Sequence, residues 1–117
     1  MESPIVNHKS RITRVTVIGA GTMGHGIAQV AAVAGYLTRL TDAHPEAIVS
    51  GRDRIQANLI GAVARGKLTQ EAADAAMSRV TGVPGVEAAA RDADLVIEAI
   101  LEDLVLKQSL FNNSTMS

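Results

Sequence analysis

The chain has no cysteine and no tryptophan, and one tyrosine and one phenylalanine stand among its 117 residues. Without thiols there is no disulfide, no thiolate nucleophile and no cysteine–metal site, and no metal site is expected. A net charge of −1 with no basic run leaves nucleic acid no electrostatic footprint, and the scarcity of aromatic rings leaves it no stacking platform. No apolar segment approaches the roughly 18 uninterrupted residues of a membrane span. The first ten residues are polar and carry no apolar core of the kind a secretory leader needs. These absences point to a soluble, cytoplasmic protein. At 47% apolar residues with two aromatic rings, the core must be built from Val, Ile, Leu and Ala. The length suits one domain.

What is present is concentrated in Val15-Thr16-Val17-Ile18-Gly19-Ala20-Gly21-Thr22-Met23-Gly24. A β-branched run enters a turn with G-x-G-x-x-G spacing, and an Ala/Val-rich helix follows. Each glycine in that spacing has its own mechanical task. Gly19 permits the tight turn off the strand. Gly21 removes a side chain where backbone must approach a pyrophosphate, and Gly24 lets the helix lie close on the strand. The helix then aims free N–H groups and the positive end of its dipole at the phosphates. Glycine spacing alone also describes a plain packing turn, but here a strand precedes, a helix follows, and Asp42 lies 21 positions after Gly21. A carboxylate at that place accepts hydrogen bonds from an adenosine ribose and repels a 2′-phosphate, favouring NAD over NADP. The competing role for Asp42 is capping of the next helix. Arg39, a potential 2′-phosphate partner, lies inside the second strand and is discounted.

Taken in order, residues 1–13 read as a flexible tail. Arg14 to Ile18 is a strand whose Val/Ile content suits burial on both faces of a parallel sheet. Thr22 to Ala34 is a helix stopped by Gly35. Leu37 to Thr41 is the second strand. Pro45 opens a helix at its first position that should run to about Arg65, ended by Gly66. Its stripe of Ile48, Ile55, Leu59 and Val63 faces the core. Thr69 is placed to cap a further helix, Gln70 to Arg79. Gly82, Pro84 and Gly85 make Val80 to Gly85 a loop with at most a short edge strand at Val80. One or two helical turns follow over Val86 to Arg91, and Leu95 to Glu98 is the next buried strand. Asp103 is placed to cap a last helix, Leu104 to Phe111. The expected fold is α/β: a Rossmann-type doubly wound parallel sheet carrying an inserted helical hairpin. It is incomplete at the C-terminus.

Residues 17–31, with Arg65-Gly66-Lys67-Leu68-Thr69 and Asp92-Ala93-Asp94-Leu95-Val96-Ile97-Glu98-Ala99, resemble the N-terminal, NAD-binding domain of the 3-hydroxyacyl-CoA dehydrogenases. The likeness runs through about residues 14 to 111 and includes the hairpin. It implies NAD as cofactor and oxidation of the 3-hydroxyl of an L-3-hydroxyacyl-CoA to a ketone, in fatty-acid metabolism. By resemblance, Gly19, Ala20, Gly21, Thr22, Met23 and Gly24 hold the pyrophosphate and Asp42 the ribose, while Glu102 and Lys107 make further NAD contacts. Asn58 and Arg65 fall where the family's inserted helix touches CoA, although the family typically carries Ser and Lys there.

The family's chemistry needs a histidine base in a His-Phe-x-Asn-Pro segment, oriented by a glutamate, and a serine and a later asparagine besides. The base takes the hydroxyl proton as hydride leaves. His8, His25 and His44 lie in no such context, so no catalytic residue is assigned. The tail Asn112 to Ser117 echoes the family's Asn-Thr-Ser without being placed to act. A helical C-terminal domain and the remaining strands are absent, so the chain is expected to be a fragment, a truncated gene product or one piece of a larger assembly. Its expected partner is a complementary chain or a homo-oligomer, with an acyl-CoA substrate if the missing part is supplied. Two other readings stay open: a stand-alone dinucleotide-binding or interaction module without catalysis, and another Rossmann hydroxyacid dehydrogenase. The hairpin counts against the second.

Overall fold

Val15, Thr16 and Val17 are buried at the centre of a sheet whose order is β3-β2-β1-β4. The computed structural model describes residues 12–99. Its elements are β1 (Arg14–Ile18), α1 (Thr22–Val33), β2 (Leu37–Thr41), α2 (Pro45–Ala64), α3 (Gln70–Arg79), β3 (Val80–Gly82), α4 (Val86–Ala90) and β4 (Leu95–Glu98). All pairings are parallel: Val17 stands opposite Leu40 on β2 and opposite Ile97 on β4, and Leu40 opposite Gly82 on β3.

The two faces of the sheet are covered unequally. Val15, Val17 and Leu40 project to one side, where they join Ala28 and Ala32 of α1, Ile55 and Leu59 of α2, and Ala73 and Ala76 of α3 in a single apolar cluster. Alternation along the strand sends Thr16 the other way, and its hydroxyl donates to the carbonyl of Ala89 in α4 at 2.5 Å. Helices therefore lie on both faces, as a doubly wound sheet requires, and the small residues of α1 let it sit close on β1. The expected stripe holds: Ile48, Ile55 and Leu59 are buried, and Val63 packs against the cluster.

Helix ends follow the sequence signals. After α1, Gly35 takes φ 109° and the Tyr36 N–H reaches back to the Ala31 carbonyl at 3.0 Å. Gly66 repeats this after α2, with φ 73° and Lys67 N–H on Ala62 O at 2.9 Å. Both are left-handed glycine stops that satisfy the last carbonyls of a helix. Thr69 caps α3, its hydroxyl accepting the Ala72 N–H at 3.0 Å.

Leu95–Glu98, expected to be buried, is exposed at Leu95, Val96 and Glu98, because among the described residues β4 is an edge strand paired to β1 alone. Two boundaries also differ from expectation. Val80–Gly82 is a strand, not chiefly a loop, because three residues gain parallel pairing to β2 and Gly82 fits under Ile48. Ile12 and Thr13, assigned to the tail by sequence, are held: Ile12 packs on the core, and Thr13 donates to Asp94 from its N–H at 2.8 Å and its hydroxyl at 3.0 Å. The helix expected at Leu104 to Phe111, with its cap Asp103, lies outside the described residues, as does His8.

Candidate dinucleotide site

The carboxyl ends of β1, β2 and β4 meet at the glycine turn. Gly19 has φ 103°, a conformation that side chains rarely adopt, and its N–H donates to the Thr41 carbonyl at 2.8 Å. The turn thus leaves β1 while still bonded to β2. Ala20 follows, buried at 3% exposure, and its N–H donates to Oδ2 of Asp42 at 2.8 Å. Gly21 is the N-cap of α1. No side chain caps this helix and no acidic residue stands in its first turn. Four N–H groups at a helix start lack intrahelical partners, and among the described residues no cap side chain and no first-turn acid answers them. That is the arrangement an anionic phosphate fits.

Gly24 shows why the helix can approach so closely. A Cβ there would lie 1.5 Å from the Gly19 carbonyl oxygen and 2.6 Å from its carbon. On the far side, Ala99 follows β4 and donates its N–H to the Ile18 carbonyl at 2.8 Å, which brings the β4 exit beside the turn. Glu98, opposite Ile18 in register, is the last residue of β4.

Asp42 is half-buried and uses both oxygens: Oδ1 accepts the His44 N–H at 2.9 Å while Oδ2 holds Ala20. Capping and ribose binding, set against each other on the sequence alone, are compatible, since His44 is the N-cap of α2. Arg39 points the other way. Its guanidinium donates to the Ala89 carbonyl at 3.1 Å and to the carbonyl of Arg91, so it closes the end of α4. His25 is held by its own helix: Nδ1 lies 2.9 Å from the Gly21 carbonyl, so that nitrogen carries the proton and donates.

The residues matched to a CoA contact are not gathered with the turn. Asn58 donates to Oε1 of Gln29 at 2.9 Å, joining α2 to α1. Arg65 is the exposed C-cap of α2, one helix length, about 30 Å, from its start. Glu102 and Lys107 lie outside the described residues. A separate groove of about 670 Å³ between α1 and β4 is lined by Ile12, Met23, Ile27, Val30, Tyr36 and Ile97 among others. It carries no charged side chain, and we do not assign the phosphates to it.

Asp94 is a residue that sequence reasoning passed over. Its Oδ2 takes N–H donors from Thr13 and Arg14 at 2.8 and 2.9 Å besides the Thr13 hydroxyl. The Thr13 and Arg14 backbone bonds, then the Thr13 hydroxyl, hold its carboxyl below the ordinary value. An acid one position before a strand is the only local signal it gives. Gly51 had a readable signal, a glycine three after Ile48 on the core stripe. A Cβ there would lie 2.8 Å from the Ala20 carbonyl oxygen.

Among the described residues, no helix is long and apolar enough to cross a membrane. The profile of a family described as 3-hydroxyacyl-CoA dehydrogenase, NAD binding domain, matches residues 14–116. The 3-hydroxyadipyl-CoA dehydrogenase of Escherichia coli K12 is 46% identical over 100 residues, covering 86% of this chain and 21% of that protein. A probable 3-hydroxybutyryl-CoA dehydrogenase of Bacillus subtilis is 39% identical over 100 residues, 86% of this chain and 34% of its own length. The crystal structure of 3-hydroxybutyryl-CoA dehydrogenase from E. coli K12 superposes with a TM-score of 0.74 at 45% identity, over 86% of this chain and 21% of that one. The chain thus spans between a fifth and about a third of the length of these relatives.

Proposed function

The chain belongs to the 3-hydroxyacyl-CoA dehydrogenase family as its NAD-binding domain, and from that premise we propose how its residues serve an oxidoreductase. The backbone of Gly19 to Gly24 receives the pyrophosphate of NAD, and Asp42 receives the hydroxyls of the adenosine ribose. The observation that carries this is the conjunction of an uncapped, acid-free α1 start with a carboxylate bonded to the turn in front of it. When bound, NAD accepts a hydride from the substrate carbon. The protein's part here is to orient: N–H groups fix the phosphates, the carboxylate fixes the ribose, and neither needs to change protonation.

The whole protein, in this reading, oxidises a 3-hydroxyacyl-CoA to the 3-oxo form in fatty-acid metabolism, in the cytoplasm. Glu102 and Lys107 add cofactor contacts. Arg65, an exposed cation at the end of α2, meets a phosphate of CoA, with Asn58 about two helical turns before it. The proton of the substrate hydroxyl goes to a base outside these 117 residues, because His25 is engaged with Gly21 O and His44 is an exposed N-cap. A complementary chain supplies that base. The same two histidines favour one alternative, a dinucleotide-binding module without catalysis.

Isothermal titration of the chain with NADH and NADPH tests the reading. Binding of NADH in preference to NADPH, weakened by Asp42→Ala, is the expected result. No heat with NADH from a cooperatively folded chain would overturn it. Recovery of 3-hydroxyacyl-CoA oxidation on adding the family's catalytic domain separates the enzyme from the bare module.

A further inference from the structure

The glycine turn is clamped on three sides. Gly24 brings α1 against Gly19, Gly51 brings α2 against Ala20, and Gly19 N–H is bonded to Thr41 O. The remaining tie, from Ala20 N–H to Oδ2 of Asp42 at 2.8 Å, is made by a side chain. Ala20 is 3% exposed, so in the unaltered turn its N–H depends on that oxygen for a partner. A carboxylate offers about four acceptor positions. The Ala20 and His44 N–H groups use two of them, which leaves two for a vicinal diol.

We propose that Asp42 is a positioning residue for the glycine turn as well as a ribose ligand: by holding Ala20 N–H it sets the turn in the shape that receives a pyrophosphate. The inference rests on the dinucleotide reading above and extends it. The two tasks share one group. Replacing Asp42 to admit a 2′-phosphate therefore also releases the turn, and phosphate binding falls for every nucleotide, hydroxylated or not. Asparagine does not repair this. Its amide keeps one acceptor oxygen, and its NH2 faces whichever of the Ala20 and His44 N–H groups that oxygen does not serve.

Four titrations on the full chain separate the tasks. ADP carries both ribose hydroxyls, whereas 2′,3′-dideoxy-ADP carries the diphosphate alone. If Asp42 touched only the ribose, Asp42→Asn would cost ADP affinity and leave the dideoxy compound unchanged. We expect dideoxy-ADP to weaken by about tenfold in Asp42→Asn, the scale of one lost charge-assisted bond, and ADP to weaken further. Amide hydrogen exchange without ligand gives an independent reading: the Ala20 N–H exchanges faster in Asp42→Asn and in Asp42→Ala while core amides such as Val17 keep their protection. Unchanged dideoxy-ADP affinity, or an unchanged Ala20 exchange rate in variants whose core amides stay protected, overturns the proposal. Failure of the unaltered chain to bind ADP overturns the dinucleotide reading instead, and the exchange rates still decide whether Asp42 holds the turn.

Discussion

A Cβ placed on Gly24 would lie 1.5 Å from the carbonyl oxygen of Gly19, so the first turn of α1 meets the end of β1 with no room for a methyl group. The obstacle is backbone, which cannot swing aside as a long side chain can. Gly24→Ala should cost about 3 kcal/mol or more, at the upper end of overpacking penalties, and should remove NADH binding. Gly26, two residues on, has nothing within 4 Å of its added Cβ. Gly26→Ala should gain about 0.5–1 kcal/mol from the helix-interior preference for alanine. Thermal unfolding of the pair decides whether contact or helix propensity governs α1.

Arg39 offers a test of cofactor choice. Its guanidinium is committed to the carbonyls of Ala89 and Arg91 at the end of α4. Arg39→Gln should lower stability by about 1–3 kcal/mol and leave the preference for NADH over NADPH unchanged. Loss of the preference on substituting Arg39 would reverse this assignment.

Acid should loosen the junction between β1 and β4. Asp94 holds Thr13 and Arg14 by three hydrogen bonds, and these lower its pKa from the ordinary 3.8. A folded-state pKa below the unfolded one contributes stability above the ordinary value, and the contribution is lost as pH falls through the folded value. Unfolding temperatures of the unaltered chain and Asp94→Asn should therefore differ at neutral pH and converge as the pH drops below 3.8.

Thr69→Ala removes the hydroxyl that caps α3 on the Ala72 N–H. The expected loss is about 1 kcal/mol, read from denaturant midpoints, with NADH affinity unaffected because α3 stands away from the turn.

Thr69 also marks what the sequence makes legible. Caps, left-handed glycine stops at Gly35 and Gly66, and the Ile48-Ile55-Leu59 stripe are local, and each was readable from residue type and spacing. The glycine turn after β1 and the place of Asp42 at the end of β2 were readable too, from glycine spacing and the β-branched run before it. Strand β3 was harder, since Gly82, Pro84 and Gly85 signal a loop and the pairing that makes Val80–Gly82 a strand comes from β2, just over forty residues back. Spacing gave the position of Asp42 but not its partners. Which oxygen meets Ala20 and which meets His44 is settled by how β2 leaves the sheet. Asn58 showed the same limit: its partner Gln29 lies on another helix, 29 residues away.

The bond from Asp94 to Thr13 spans 81 residues of chain and closes the sheet beside its central strand. During synthesis, β1 leaves the ribosome early and β4 late. The newborn chain can dock α1, β2 and the hairpin on one flank of β1, but the other flank must wait. Closing so long a loop is entropically costly and slow relative to local helix formation. Until Leu95–Glu98 arrives, β1 presents an unpaired edge to its surroundings. The later-made β4 completes the pairing of β1.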